Sequence, residues 1–119
     1  MSNYKYINMA YLNEMSSGDT EFVVSMLIDW SAKLPEYLAE LNLAMDNRNK
    51  GEIRFLAHKL YSTFHIIGAL DLVGICADIE ELARVDGDID ELQNYVSKIT
   101  PFYNKVLIEV NKELKQLSN

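Results

Sequence analysis

The chain has 119 residues, 49% of them hydrophobic and 24% charged, with a net charge of −7. That length supports one domain with a real core, and the acidic balance argues against nucleic acid, whose phosphates need clustered Lys and Arg. No apolar run approaches the roughly 20 residues of a membrane helix, the N-terminus lacks the apolar core of a secretory signal, and Cys76, the only cysteine, leaves no internal disulfide and points to a reducing cytoplasm.

The pattern is helical from the start. Asn8 is placed to cap a short helix that runs to about Met15. Ser16, Ser17 and Gly18 read as a turn, and Asp19 as the next N-cap. Phe22, Val23, Met26, Leu27 and Trp30 then recur at helical spacing, continued by Leu34, Tyr37, Leu38, Leu41 and Met45. Pro35 falls inside this run, which predicts a kink or a fresh helix start. Met9, Leu12, Met15, Phe22, Met26 and Trp30 read first as core, with Leu12 and Met15 alternatively forming an apolar rim for a partner.

Residues 46–51 form a polar turn in which Asn49 and Glu52 have capping-box spacing. A third helix covers about 49–67, with Ile53, Leu56, Leu60, Phe64 and Ile67 on one face. Gly68 ends it, since glycine accepts the left-handed cap conformation. A fourth helix, about 69–85, has a wide apolar stripe including Leu72, Cys76, Ile79 and Ala83. Cys76 on that stripe reads as an inert core thiol. After Asp86 and Gly87, Asp88 and Glu91 make a second capping box, and one last helix, kinked at Pro101, runs to about Leu117. No strand alternation, internal repeat or low-complexity tract is present. Short turns between long amphipathic helices make neighbours antiparallel. The expected fold is all-α: an antiparallel up-and-down four-helix bundle with a short additional N-terminal helix across one end, spanning residues 1–119 as one domain. Met1 and the absence of linkers are read as a free-standing protein.

Chemistry concentrates on the third helix. Residues 53–70 contain no Asp or Glu, yet carry Arg54, His58, Lys59 and His65. At about 100° per residue, His58 lies roughly 170° from the centre of the apolar arc, on the solvent side. Arg54, Tyr61, Ser62 and His65 share that side. Two histidines and one cysteine are too few for a zinc site, and no metal is expected. No phosphate loop, Walker lysine or hydrolase motif is present. An exposed, mostly neutral imidazole among small and cationic neighbours suits nucleophilic attack on a phosphoryl group held by another protein.

Here the chain resembles a known family. Ala57-His58-Lys59-Leu60, then Ile67-Gly68-Ala69, Leu72 and the run Cys76-Ala77-Asp78-Ile79-Glu80 are similar to a histidine-containing phosphotransfer (HPt) domain. Tyr11-Leu12 and Gly18-Asp19 followed by Phe22 resemble its N-terminal region. The resemblance implies a phosphoryl carrier of a multistep two-component phosphorelay, with no kinase activity of its own and His58 as phosphoacceptor between receiver aspartates. It implies partners in response-regulator receiver domains and a hybrid sensor kinase, a monomeric state, a cytoplasmic location and no resident cofactor, Mg²⁺ residing on the receiver. By the same resemblance Glu80 can hydrogen-bond the second ring nitrogen of His58; a solvated surface glutamate is the alternative. Lys59, Tyr61 and Ser62 are supporting candidates, and Leu12, Met15, Phe55 and His65 are candidates for partner contact. The family usually has lysine and glycine three and four residues after the histidine; Tyr61 and Ser62 stand there, and Arg54 is the candidate replacement cation. The rival readings are a degenerate module that binds a receiver without transfer, and an enzyme using His58 with Glu80 in acid–base catalysis.

Overall fold

A computed structural model describes residues 4–118. Among these, six helices and no strands are found: α1 (Ala10–Met15), α2 (Thr20–Asp46), α3 (Lys50–Ile66), α4 (Leu70–Arg84), α5 (Ile89–Val96) and α6 (Ile99–Leu117). α3 packs most extensively on α4 and next on α2, while α6 closes the bundle against α2 and α4. The result is a rod of 46 × 21 × 20 Å. The all-α bundle inferred from periodicity is the observed architecture.

Caps set the helix starts as their chemistry requires. The Asp19 carboxylate accepts from the Phe22 N–H at 3.2 Å, and Asn49 Oδ1 accepts from the Glu52 N–H at 3.1 Å. At α1 the N-cap position falls on Met9, one residue after the expected Asn8, with no side-chain cap; Asn8 Oδ1 instead accepts from the N–H of Ala10, the first residue of the helix. Asp88 also caps, but onto the Asp90 N–H, one residue short of the expected capping-box contact with Glu91. Leu27, Leu34, Leu41, Ile53, Leu56, Leu60, Phe64, Leu72, Ile79 and Leu92 are fully buried in one continuous cluster.

At both prolines the helix boundaries depart from one part of the sequence expectation. Pro35 starts no new helix; α2 runs through it unbroken for 27 residues. Its ring removes the hydrogen bond to the Ser31 carbonyl, a loss of about 3 kcal/mol in an isolated helix. The buried side chains of Trp30, Leu34 and Leu41 flank the site and hold the helix through it, each contributing about 1.5–3 kcal/mol. Pro101 does not kink a single last helix. The run divides at Ser97 and Lys98, and Pro101 is the third residue of α6. In a first turn the backbone N–H groups have no intrahelical acceptor, so a residue without one loses nothing there.

The N-terminal segment is tied down on α6 and at the end of α3. The Glu109 carboxylate accepts from the backbone N–H groups of Lys5, Tyr6 and Ile7 at 2.9, 2.7 and 3.0 Å. The Tyr4 hydroxyl donates to Glu113. The Asn8 N–H then donates to the Ile67 carbonyl at 2.9 Å, beside Gly68. Gly68 has φ +64°, and a Cβ there would lie 2.5 Å from the Asn8 carbonyl oxygen. Glycine is needed at this position twice over: for the left-handed turn and for the close approach of the N-terminal strand of chain.

This docking buries Ile7, Met9 and Leu12. Leu12 is 0% exposed, so the core reading holds for it and the alternative of partner contact does not. Its neighbour Tyr11 is exposed instead, as is Met15, while Phe22, expected inside, is 40% exposed.

Candidate functional site

Asn49 starts α3 and Gly68 stops it, so His58 stands at the middle of a well-anchored helix. Ile53, Leu56, Ala57, Leu60 and Phe64 pin the inner face. The His58 side chain is 66% exposed. The helix therefore presents an imidazole outward from a rigid base.

One contact orients the ring. His58 Nδ1 lies 3.1 and 3.2 Å from the two carboxylate oxygens of Glu80 on α4. A carboxylate only accepts, so the network places the proton on Nδ1 and leaves Nε2 with its lone pair facing out. Glu80 is itself only 28% exposed, held by the wall of α4 beside buried Cys76 and Ile79. Of the two readings for Glu80, the histidine partner is the one the structure bears. Cys76 is fully buried; burial, reinforced by the Glu80 charge, pushes its thiol up to about 12, so it stays protonated and inert, as expected.

The remaining candidates fall into three groups. Gly51, Arg54, Phe55, His58 and Glu80 line one open recess of about 380 Å³. Phe55 is 60% exposed at its rim. The Arg54 charge is felt on α4: the Glu81 carboxyl is held below its ordinary value chiefly by the hydrogen bond from Arg84, with the Arg54 charge adding to it.

On the other flank, the Tyr61 ring lies parallel to that of His58, 7° apart with centroids at 6.5 Å. His65 follows at 6.3 Å from Tyr61, and Tyr11 from α1 meets His65 edge-on at 5.6 Å. Ser62 is exposed one turn beyond His58.

Lys59 belongs to neither flank. Its Nζ sits 4.3 Å from the Tyr37 ring centroid on α2 and 6.0 Å from that of Phe55. This cation–π seat engages its ammonium with Tyr37 and, at longer range, with Phe55 at the rim of the recess. Neither Gly51 nor Tyr11 was a candidate site residue from sequence, Tyr11 having entered only through the N-terminal resemblance. Gly51 had a usable signal: it stands seven residues before His58, which returns to the same helix face.

A larger groove, about 650 Å³, lies at the far end between the start of α2 and the end of α6, but its lining holds no histidine, cysteine or lysine. No cluster of three or more potential metal ligands occurs among the described residues, and no described helix is long and apolar enough to cross a membrane.

Comparison with known proteins adds two findings. A family model described as Hpt domain matches residues 25–119. Among solved structures, the crystal structure of the HPT domain from the Hpt sensor hybrid histidine kinase from Shewanella superposes with a TM-score of 0.80. It shares 19% sequence identity and covers 96% of this chain and 97% of that chain, a likeness of fold. No curated protein sequence matches.

Proposed function

We propose, from the chain's membership of the Hpt domain family of two-component phosphocarrier modules, that it shuttles a phosphoryl group between receiver-domain aspartates on Nε2 of His58. The observation that carries this reading is the Nδ1–Glu80 contact at 3.1 Å on a ring that is otherwise open. It gives one nitrogen a fixed proton and the other a free lone pair aimed at solvent.

The reaction balances without an added base. The Nε2 lone pair attacks phosphorus as the bond from phosphorus to the donor aspartyl oxygen breaks, and the carboxylate departs with the electron pair. Nδ1 keeps its proton, so the phosphorylated ring carries positive charge, which the Glu80 carboxylate stabilises. Reversal onto a second receiver's aspartate completes the relay. The phosphoryl transition state spreads charge over its oxygens and depends mainly on positioning and charge neutralisation. Arg54 supplies the cation from this chain in place of the usual lysine, while the receiver brings Mg²⁺. Partners are a hybrid sensor kinase and response-regulator receivers, and the chain acts in the cytoplasm as a single monomeric domain without kinase activity of its own.

The test is to incubate the chain with receiver domains charged with acetyl phosphate and Mg²⁺. Label that is acid-labile, base-stable and located on residue 58 supports the reading. Receiver binding with no label would favour the non-transferring interaction module. Three variants probe the supporting groups. Glu80→Gln keeps a hydrogen-bond acceptor but loses the charge, and slows transfer about tenfold; Glu80→Ala also frees the tautomer and costs towards 100-fold, with the tautomer ratio read by nitrogen NMR. Arg54→Ala lowers the transfer rate about tenfold and shortens the phosphohistidine lifetime, a modest loss for an exposed cation compared with an enclosed oxyanion donor. An unchanged rate and lifetime would remove Arg54 from the site.

A further inference from the structure

The two flanks of His58 are unequal. Side chains on a helix tilt towards its N-terminus, so each ring covers the turn before its own Cα. Tyr61 thus leans onto the back of His58, His65 onto Tyr61, and Tyr11 closes the row. Tyr61 is also half-buried against the core, which fixes the row in place. The faces of such rings carry negative partial charge, an unfavourable wall for a phosphoryl dianion.

The N-terminal flank is open. His58 overhangs Arg54 and Phe55, and beyond them lies Gly51, about 10 Å along the axis and on the same face. The fold does not require glycine there. Its φ is not positive, and a Cβ would meet only Asn49 Oδ1, at an ordinary 3.6 Å. Glycine is nonetheless among the poorest helix formers, and here it keeps the floor of the recess empty.

We infer that Gly51 is a specificity-determining gap: the aspartyl-phosphate loop of the partner receiver reaches His58 from the N-terminal side of α3, across Gly51 and beside Arg54. The cation and the small residue that the family usually places after the histidine are here set before it. This rests on the phosphotransfer reading above.

The experiment compares wild type, Gly51→Ala and Gly51→Leu with two phosphoryl donors. One is a receiver charged with acetyl phosphate; the other is phosphoramidate, a small donor that needs no docking. Gly51→Leu is expected to raise the half-saturating receiver concentration at least about tenfold. The limiting rate should stay within about threefold of wild type and phosphoramidate labelling of His58 unchanged, because a leucine here obstructs docking and leaves the imidazole and Glu80 alone. Gly51→Ala stays within about threefold of wild type in both assays. Thermal unfolding verifies that both variants fold. Receiver kinetics untouched in folded Gly51→Leu would overturn the inference, as would equal slowing with both donors. A wild-type chain that takes label from phosphoramidate but from no receiver would overturn the phosphotransfer reading and the approach route with it.

Discussion

His58→Gln is expected to fold normally and to take up no phosphoryl label from a charged receiver. The His58 side chain is 66% exposed and its one hydrogen bond is to Glu80 at the surface. Removing it opens no cavity, and the stability change should stay within about 0.5 kcal/mol. The chemistry has no substitute: a glutamine amide has no nucleophilic lone pair on nitrogen, so label should fall at least about 100-fold, to background. His65 is the internal control. It is exposed on the same helix but has ring contacts with Tyr11 and Tyr61 and, among the described residues, no carboxylate partner. Label that survives in His58→Gln and disappears in His58→Gln with His65→Gln would move the acceptor about two turns along α3 and sink the account of His58.

Gly68→Ala should be nearly as damaging as Gly68→Val, and both should cost about 3 kcal/mol or more. The obstruction begins at the first side-chain atom, which would lie 2.5 Å from the Asn8 carbonyl oxygen and 2.9 Å from the Asn8 nitrogen. The left-handed backbone adds roughly 1–2 kcal/mol for any residue with a Cβ. Relief requires residues 4–9 to move off the bundle, which breaks the Asn8–Ile67 hydrogen bond at about 1 kcal/mol and exposes Ile7 and Met9. Urea denaturation measures the loss, and limited proteolysis shows where it falls: cleavage before α2 should accelerate well before cleavage within α3 or α4. A Gly68→Ala variant with wild-type stability would show that the N-terminal segment docks elsewhere.

The fold was legible because burial follows a 3.6-residue period, and Ile53, Leu56, Leu60, Phe64 and Ile67 obey it over the whole of α3. The same geometry placed His58 outside. Prolines were harder, since their effect depends on context. Pro35 sits in a helix held by core packing on both sides, whereas Pro101 sits in a first turn where nothing is lost. Leu12 was ambiguous because a six-residue helix shows too little of a period to separate its inner face from a rim. The Glu80 contact was half-legible: the resemblance offered the residue as a partner for His58, but only packing of α4 on α3 brings it to Nδ1. The seat of Lys59 on Tyr37 and the hold of Glu109 on residues 5–7 join distant parts of the chain. Neither leaves a local pattern to read.

That last hold bears on the order in which the chain assembles. α3 and α4 are sequence neighbours joined by a short turn, and such local hairpins close in microseconds. The Glu109 carboxylate engages amides more than a hundred positions upstream, at a separation of 104 from Lys5, and loop entropy defers that closure until the helices between are already assembled. The leading segment is then a latch fastened last. It seals one end of a scaffold whose histidine-bearing hairpin has already formed.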